Sequence, residues 1–498
     1  MELLQLGIDI VFVPSTLILI FFGTVIGVIF GALPGVSASM AVVLGLPFTY
    51  GMDPVTAIAF LVAVYCASIT GGGITAILFK IPGTPAAAAT TFDGFPMVAA
   101  GQPMRALSIQ LFCSAIGGIF AAIAMFLISP QLSTLALKFG PSELFAVSFM
   151  GLSILSALDE GNLVKTLISG LLGLWLATIG MDPIQGNARF TWGSSTLLSG
   201  IEMIPIMIGL FAITQILKET KKRSKLETVE AAESTKDDRL VSLKEMWQMK
   251  TTILRSSILG TAVGILPGAG ATIASFLAYT TEVKLSKDPE TFGTGNPRGI
   301  AAPESANNAA TGGSMVPLLS LGIPGGNAAA IMMSALVLKG VQMGPLLIQN
   351  QPEYLSAVFV SMSVTNIIMV FVALVVAKVF SKILAIPYSI LGVVIMLLAT
   401  VGSYATLNST GDVLLMVIAG IFGFFFSKFG FNNAALILGL VLGPIIESNL
   451  RRAIMIEQGN FIPVFTKPIT AVIVAISIVT LVWPLIKPLI SKKQEPTN

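Results

Sequence analysis

Long stretches without any charged residue, separated by short polar segments, make up most of this chain. The first runs from Ile10 to Met52 and holds 43 residues without Asp, Glu, Lys or Arg. Further uncharged stretches cover 54–79, 106–137, 354–377, 383–411 and 468–486. Each is about as long as the roughly 20 residues that cross a bilayer core as an α-helix, or longer. Continuous apolar runs predict an all-α polytopic membrane protein with about ten to twelve transmembrane helices in the lipid bilayer.

Glycine and proline interrupt these runs at positions where a simple spanning helix would continue. The segment "GALPG" at 31–35 is matched by "GILPG" at 264–268, 233 residues later. The segments "TGGG" at 70–73 and "TGGS" at 311–314 lie 241 residues apart, and "IPGTPAAA" at 81–88 and "IPGGNAAA" at 323–330 lie 242 apart. Three matches in the same order predict an internal repeat. The alternative is that these small residues serve only close helix packing.

One charged segment divides the two repeats. Residues 218–250 hold nine Lys or Arg and seven Asp or Glu. Its basic cluster directly follows an apolar run, which places the segment in the cytoplasm by the positive-inside rule. We therefore expect a first membrane repeat at 1–217, a cytoplasmic connector at 218–250 without a role in binding, and a second membrane repeat at 251–498. We expect the repeats to have inverted topology, with their broken segments meeting near the middle of the membrane.

The amino-acid composition excludes several classes of protein and of functional site. Of the 498 residues, 54% are hydrophobic and 11% are charged, against roughly 25% charged in a soluble domain. The sequence contains no histidine, which excludes Ser-His-Asp triads and histidine metal sites. Cys66 and Cys113 lie inside apolar runs and are expected to be small buried side chains, not a disulfide. We expect no cofactor, no resident metal and no nucleic acid partner.

Repeated helix breaks inside apolar runs predict a binding site. Proline lacks an amide hydrogen and glycine lets the backbone turn, so each break frees backbone polar groups. In hydrocarbon such groups are costly unless protein, a ligand or cavity water bonds them. Discontinuous helices and re-entrant segments at a central cavity would offer amides at half-helix N-termini to an anion, and loose carbonyl groups to a small cation.

The residues at and beside the breaks are the candidate site. They supply hydroxyl, amide and backbone groups that bind carboxylates or sodium, although a single Ser or Thr often bonds only its own helix. The expected substrate- or ion-binding residues are Pro34, Gly35, Ser37, Ser39, Thr70, Gly71, Gly72, Pro82, Gly83, Thr84, Pro267, Gly268, Thr272, Asn307, Asn308, Thr311, Gly312, Gly313, Pro324, Gly325 and Asn327.

Four polar residues stand out within the second half. Asn307 and Asn308 are paired amides that lipid would not satisfy, and we expect at least one of them to bind substrate or the coupling ion. Arg298 and Glu304 are ionisable groups ahead of an apolar run. They are either functional groups inside the membrane or a structural ion pair at its interface.

The motifs resemble those of a known family. "GALPGVSASMAVVLGLPFTYGMDP", "TGGGITAILFKIPGTPAAAATTFDGFPM", "GILPGAGATIASFLAY", "APESANNAATGG" and "LGIPG" are similar to TctA, the large membrane subunit of tripartite tricarboxylate transporters. The resemblance implies a carrier in the bacterial inner membrane that imports a tri- or dicarboxylate, driven by a sodium or proton gradient. It also implies a small four-helix membrane subunit and an extracytoplasmic solute-binding protein. The sequence departs from the family at Ser305 and at Gly326-Asn327.

Two other classes of function stay open at this point. A passive channel for organic anions can also contain repeats and broken helices. A membrane enzyme would need a nucleophile and a base, and a serine with Lys80 is the least unsuitable pair in the chain. Uptake measured with and without an ion gradient separates a carrier from a channel.

Overall fold

A computed structural model describes residues 2–158, 163–194, 196–221, 238–268, 270–384 and 388–491. The described chain is almost entirely helical. Its α-helices are α1 Glu2–Val11, α2 Pro14–Ala32, α3 Ala38–Thr49, α4 Pro54–Phe79, α5 Thr91–Ala99, α6 Pro103–Ala136, α7 Pro141–Leu158, α8 Leu163–Leu176, α9 Met203–Ile208, α10 Thr214–Lys221, α11 Leu243–Gln248, α12 Lys250–Ile265, α13 Gly270–Leu285, α14 Pro297–Leu321, α15 Asn327–Leu338, α16 Leu347–Asn350, α17 Pro352–Leu384, α18 Tyr388–Leu407, α19 Thr410–Lys428, α20 Asn433–Ile456, α21 Phe461–Thr466 and α22 Pro468–Ser491.

The remaining regular structure is short. Three 3-10 turns cover Pro85–Ala87, Thr196–Ser199 and Pro289–Thr291, and a π-helical segment, Gly209–Ile213, joins α9 to α10. Strands β1 Gly180–Met181 and β2 Ala188–Arg189 form an antiparallel pair. Six described helices are long and apolar enough to cross a membrane, namely α2, α4, α6, α19, α20 and the Pro352–Lys378 part of α17. Shorter apolar helices accompany them, which confirms the all-α polytopic membrane class. The count of ten to twelve spans stays a prediction.

Both Leu-Pro-Gly motifs interrupt a helix, as the sequence predicts. Helix α2 ends at Ala32 and α3 begins at Ala38, while α12 ends at Ile265 and α13 begins at Gly270. Gly35 has φ 86° and Gly268 has φ 84°, the left-handed region that favours glycine. The following helix α3 has only 12 residues. It spans about 18 Å and cannot cross the bilayer alone.

Both Ile-Pro-Gly motifs end a long buried helix in the same way. Lys80, with φ 57°, caps α4, and Gly322, with φ 69°, caps α14. The next amide in each case donates to a carbonyl six residues back, Ile81 to Thr75 at 3.3 Å and Ile323 to Pro317 at 3.2 Å. The prediction of discontinuous helices is therefore confirmed for all four breaks.

The packing of the broken helices repeats in both halves. Helix α2 lies against α4 and α12 lies against α14, each pair in backbone contact through glycine. A Cβ atom added to Gly31 would overlap the carbonyl oxygen of Ser68, and one added to Gly264 would lie 2.5 Å from the carbonyl oxygen of Ala310. Gly31 and Gly264 differ by 233 positions and their contacts by 242, which are the offsets of the sequence motifs.

The packing corrects the alignment of the TGG motifs by one residue. A Cβ atom on Gly71 would overlap the Val28 carbonyl oxygen, and one on Gly313 would overlap that of Thr261. Gly71 therefore corresponds to Gly313, an offset of 242, whereas matching the letters of the two motifs gives 241. Consecutive glycines are identical, so the sequence alone leaves the alignment of the two motifs ambiguous by one residue. The contact of each glycine with the neighbouring helix resolves this ambiguity.

The two halves interlock through the long helix that follows each second break. Helix α6 of the first half lies against α14, and α17 of the second half lies against α4. These are corresponding contacts if the halves are repeats, since α6 and α17 occupy the same place in each series of elements. The inverted topology, and the division at 217 and 251, stay predictions.

Residues 222–237 of the predicted connector lie outside the described residues. Its last part is docked on the membrane helices. The Asp238 carboxylate accepts hydrogen bonds from the amides of Met104 at 2.7 Å and Arg105 at 3.3 Å, at the start of α6. Partial burial raises the pKa of Glu245, but hydrogen bonds from Ser242 and the nearby Arg105 outweigh it and lower that pKa to about 2. Its carboxylate lies 2.8 Å from the Arg105 guanidinium.

Candidate functional site

A cavity of about 240 Å³ lies where the breaks of the two halves meet. Four short segments, each just beyond a break, form most of its wall. The first half contributes 37–39 and 84–86, and the second half contributes 268, 270–272 and 326–328. Tyr65, Ile69 and Phe211 complete the lining among the described residues. The cavity is thus built from the positions that the sequence repeat relates to one another.

Helix N-termini converge on this cavity. Helices α3, α13 and α15 begin at Ala38, Gly270 and Asn327, and the 3-10 turn begins at Pro85. The first amides of a helix lack acceptors within the helix, and the aligned peptide dipoles add a partial positive charge there. None of the described residues that line the cavity is Lys, Arg, Asp or Glu. An anion placed there would therefore be attracted by backbone amides and not by charged side chains of this lining.

Hydroxyl and amide side chains stand among these amides. Ser37 caps α3, and its oxygen accepts a hydrogen bond from the Met40 amide at 3.1 Å. The Thr84 hydroxyl is buried, and it has no hydrogen-bond partner in the described part of the chain. A buried hydroxyl that lines a cavity without a partner is available to a ligand, because leaving it unbonded is costly. Asn327 is the first residue of α15, and its half-buried side chain offers both donors and an acceptor.

Glycines behind the cavity hold the breaks together. A Cβ atom on Gly83 would overlap the carbonyl oxygen of Gly31, and one on Gly72 would overlap the Thr84 hydroxyl. In the second half, the Gly268 amide donates to the Gly325 carbonyl at 3.0 Å. Gly268 lines the cavity, whereas Gly31, Gly72, Gly83 and Gly325 do not. They set the positions of those that do.

The structure brings six of the predicted site residues to the cavity wall. They are Ser37, Ser39, Thr84, Gly268, Thr272 and Asn327. The other predicted residues do not line it and lie behind or beside it, namely Pro34, Gly35, Thr70, Gly71, Gly72, Pro82, Gly83, Pro267, Asn307, Asn308, Thr311, Gly312, Gly313, Pro324 and Gly325. Within each motif, only residues at or after the turn reach the cavity.

Asn307 and Asn308 are fully buried and make hydrogen bonds between helices. Asn307 donates to the Ala86 carbonyl at 3.3 Å, next to the cavity. Asn308 accepts from the Thr70 hydroxyl at 2.8 Å and donates to the Asn307 side-chain oxygen at 2.8 Å. These bonds tie α14 to α4 and to the 3-10 turn. A direct contact of either side chain with substrate or ion stays a prediction.

We expect Asn308→Ala to lower the amount of folded protein in the membrane. The change leaves the buried side-chain oxygen of Asn307 without its Asn308 donor and costs about 1–3 kcal/mol. Size-exclusion chromatography of a fluorescent fusion measures the folded fraction, with Asn350→Ala, an exposed residue of α16, as the control. Normal abundance with a raised half-saturation concentration would contradict this expectation and support the binding role.

A second cavity of about 440 Å³ adjoins the first. The two share Ser37 and Phe211 as lining residues. Phe211 lies in the π-helical segment, a feature that often occurs at functional sites. Lys218, the first residue of the predicted connector, also lines the second cavity. Tyr65 and Phe211 were missed by the sequence analysis because neither stands near a break in the sequence.

The chain is similar to proteins of one family. The family model described as "Tripartite tricarboxylate transporter TctA family" matches residues 17–438. An "Uncharacterized 52.8 kDa protein in TAR-I ttuC' 3'region" of Agrobacterium vitis is 35% identical over 502 residues, which cover 99% of this chain and 97% of that protein. A second protein of Agrobacterium vitis, from the TAR-II ttuC' 3'region, is 38% identical over 236 residues, 47% of this chain and 98% of its own length. No solved structure matches.

Proposed function

Because the chain belongs to the tripartite tricarboxylate transporter TctA family, we propose that it imports a citrate-like tri- or dicarboxylate as the large membrane subunit of a secondary transporter. The cavity at the paired breaks is its substrate site, and the membrane is the bacterial inner membrane. The observation that carries the proposal is the meeting of helix N-termini from both halves at one uncharged cavity.

The arrangement of the N-termini fits a substrate with more than one carboxylate. Helix α3 and the 3-10 turn come from the first half, and α13 and α15 come from the second. The amides at the start of α3 in the first half suit one carboxylate, and those at the start of α13 and α15 in the second half suit another. Amides and hydroxyls bind a carboxylate without a fixed counter-charge, which allows release on the other side of the membrane. Ser37, Thr84, Thr272 and Asn327 supply the side-chain donors.

Import of an anion requires a coupled cation. An interior-negative potential opposes the entry of each negative charge by about 2.3 kcal/mol per 100 mV. A multiply charged carboxylate would therefore be excluded from the cell unless cations enter with it. Sodium or protons serve this role, and no further cofactor is needed.

The remaining partners follow from the tripartite family. We propose a small four-helix membrane subunit and an extracytoplasmic solute-binding protein that delivers the substrate. The exposed apolar surface of the spans contacts lipid and, in part, the small subunit.

The two rival functions find less support. A membrane enzyme using Lys80 as its base would need this side chain at the cavity, but its ammonium group lies over the Phe95 ring, 5.5 Å from the centroid. Lys80 is also absent from the residues that line the cavity. A passive channel needs a continuous path across the membrane, whereas the structure has two distinct cavities that share Ser37 and Phe211 as lining residues.

Uptake by whole cells tests the proposal. Cells of the source organism and a strain lacking this chain are supplied with radiolabelled citrate, succinate or malate, so that partner subunits are present. We expect accumulation of at least one of these above its external concentration, lost in the deletion strain and after collapse of the ion gradients. Gradient-independent equilibration would indicate a channel, and equal uptake by both strains of every compound would refute carboxylate import.

A further inference from the structure

Glu304 is a fully buried carboxyl group in the middle of α14. Its Oε1 atom accepts a hydrogen bond from the Thr90 hydroxyl at 2.5 Å. Its Oε2 atom accepts from the Ser114 hydroxyl at 2.9 Å and from the Gln110 amide at 3.3 Å. Two elements of the first half, helix α6 and the N-terminus of α5, thus donate to one acidic group of the second half. The side-chain oxygen of Gln110 is buried there without a partner in the described chain.

No cationic side chain compensates the charge of this carboxylate. Among the described residues, none of the ion pairs includes Glu304. Arg298, which the sequence offered as its partner, is exposed. An isolated carboxylate in a medium without water is very unfavourable, and a carboxyl group so placed takes up a neutralising cation. Intramembrane acids in this situation mark ion or proton pathways.

The titratable groups of the adjacent helices α6 and α4 include two thiols and a phenol. On α6, the Cys113 thiol is close enough to interact electrostatically with Glu304. On α4, Tyr65 is 3.4 Å from Ser314, and Cys66 is 3.7 Å from Thr311. None of these three side chains carries a positive charge that could stabilise the carboxylate.

Two other buried acidic groups, on helices that pack near Glu304, have hydrogen-bond or ion-pair partners of their own. Asp93 of α5 accepts from the Tyr279 hydroxyl of α13 at 2.9 Å and from the amides of Gly293, Gly295 and Asn296. Glu282 of α13 pairs with Arg255 of α12. Glu304 is therefore the acid in this part of the described core that lacks both a basic partner and a set of backbone donors.

Hydrogen bonds connect this acid to the cavity. The Thr90 hydroxyl donates to the Glu304 carboxyl group, and the Thr90 amide donates to the carbonyl of Ala87 at 3.1 Å, in the 3-10 turn. Ala86 lines the cavity, in the 3-10 turn that follows Thr84. A change in the charge of Glu304 thus reaches the cavity wall through one side chain and one backbone group.

We propose that Glu304 binds a coupling proton. This inference rests on the proposed function and deepens it. The carboxylate takes one proton from the outer side as the substrate binds, becomes a neutral acid, and returns that proton to the cytoplasm after the substrate leaves. The geometry favours a proton over sodium because hydroxyl and amide donors already occupy both carboxylate oxygens at 2.5–3.3 Å. A sodium ion would need those donors to turn away.

Glu304→Gln tests the proposal, since glutamine mimics the neutral acid at the same size. The variant replaces the chromosomal copy, and cells are assayed with citrate, succinate and malate while valinomycin and potassium clamp the membrane potential. One proton per substrate and an imposed gradient of about one pH unit sustain roughly tenfold accumulation in the wild type. We expect the variant to lose this accumulation and to keep exchange of external for internal substrate in de-energised cells, because exchange needs no net proton release.

The outcomes of this experiment distinguish failure of the proton-site proposal from failure of the proposed carboxylate import. Wild-type cells that neither accumulate nor exchange any of the three compounds would refute the proposed function. Wild-type accumulation that responds to sodium alone, or accumulation by Glu304→Gln under a pH gradient, would overturn the proton site and leave the function standing.

A milder change keeps the test decisive if Glu304→Gln does not fold. Ser114→Ala removes one donor to the carboxylate, which favours the protonated acid. We expect the pH of half-maximal exchange to move upward by about half a unit or more. Ser129→Ala is the matched control, since Ser129 is a buried serine of the same helix whose hydroxyl has no partner in the described chain. An unchanged pH profile in Ser114→Ala would contradict the assignment.

Discussion

Asn327→Asp is expected to raise the half-saturation concentration for the transported carboxylate by about two orders of magnitude. The new carboxylate stands at the first residue of α15 and lines the cavity. At a separation of about 6 Å and an effective dielectric constant of about 20, repulsion from one substrate carboxylate costs about 3 kcal/mol, which is roughly a hundredfold in affinity. Aspartate suits a helix N-terminus, so the fold is not expected to suffer.

The matched control is Asn460→Asp. Asn460 also stands at a helix N-terminus, where its side chain accepts a hydrogen bond from the Ile462 amide at 3.1 Å, but it is exposed and does not line the cavity. Initial uptake rates over a range of substrate concentrations, divided by transporter abundance, measure both variants. Equal half-saturation concentrations in Asn327→Asp and the wild type would exclude Asn327 from the substrate site.

Gly31→Ala is expected to remove most of the folded protein from the membrane. The added methyl group would overlap the carbonyl oxygen of Ser68 and lie 2.6 Å from its Cα atom. Backbone atoms of two long buried helices cannot move aside as a flexible side chain can, and overpacking of this kind costs about 1–3 kcal/mol or more. The displacement would also shift the Leu-Pro-Gly break, which begins two residues further along the chain. Gly264→Ala, its counterpart in the second half, is expected to act in the same way.

Gly51→Ala is the control for this pair of variants, because an added Cβ atom there meets no atom within 4 Å. Size-exclusion chromatography of detergent-solubilised fluorescent fusions measures the monodisperse fraction. We expect Gly51→Ala to match the wild type. A monodisperse fraction for Gly31→Ala as large as that for Gly51→Ala would show that the helices tolerate a wider separation than the structure implies.

The sequence was sufficient to predict the membrane class and the helix breaks. Uncharged runs exclude a soluble surface, and proline with glycine interrupts a helix for local reasons that need no knowledge of distant residues. The same local logic identified Ser37 and Thr84, which follow a break and reach the cavity. It also identified Asn327, although the second half departs from the first at that position.

Contacts between segments that are distant in the sequence could not be predicted from local sequence patterns. The sequence predicts a binding role for Asn307 and Asn308 because lipid cannot form hydrogen bonds with their amides. In the structure, other protein groups form these hydrogen bonds within the core. Phe211 reaches the cavity from a segment without a break or a repeat, and no local pattern distinguishes it from other apolar residues. The isolation of Glu304 from Arg298 likewise depends on how α14 packs, which spacing alone does not determine.

A structure of the protein determined with its transported carboxylate tests the central claim most directly. We predict ligand density in the cavity between the two halves, with carboxylate oxygens within hydrogen-bond distance of the first amides of α3, α13 or α15 and of the Thr84 hydroxyl. Density bound elsewhere, with this cavity empty at a saturating concentration of substrate, would contradict the account.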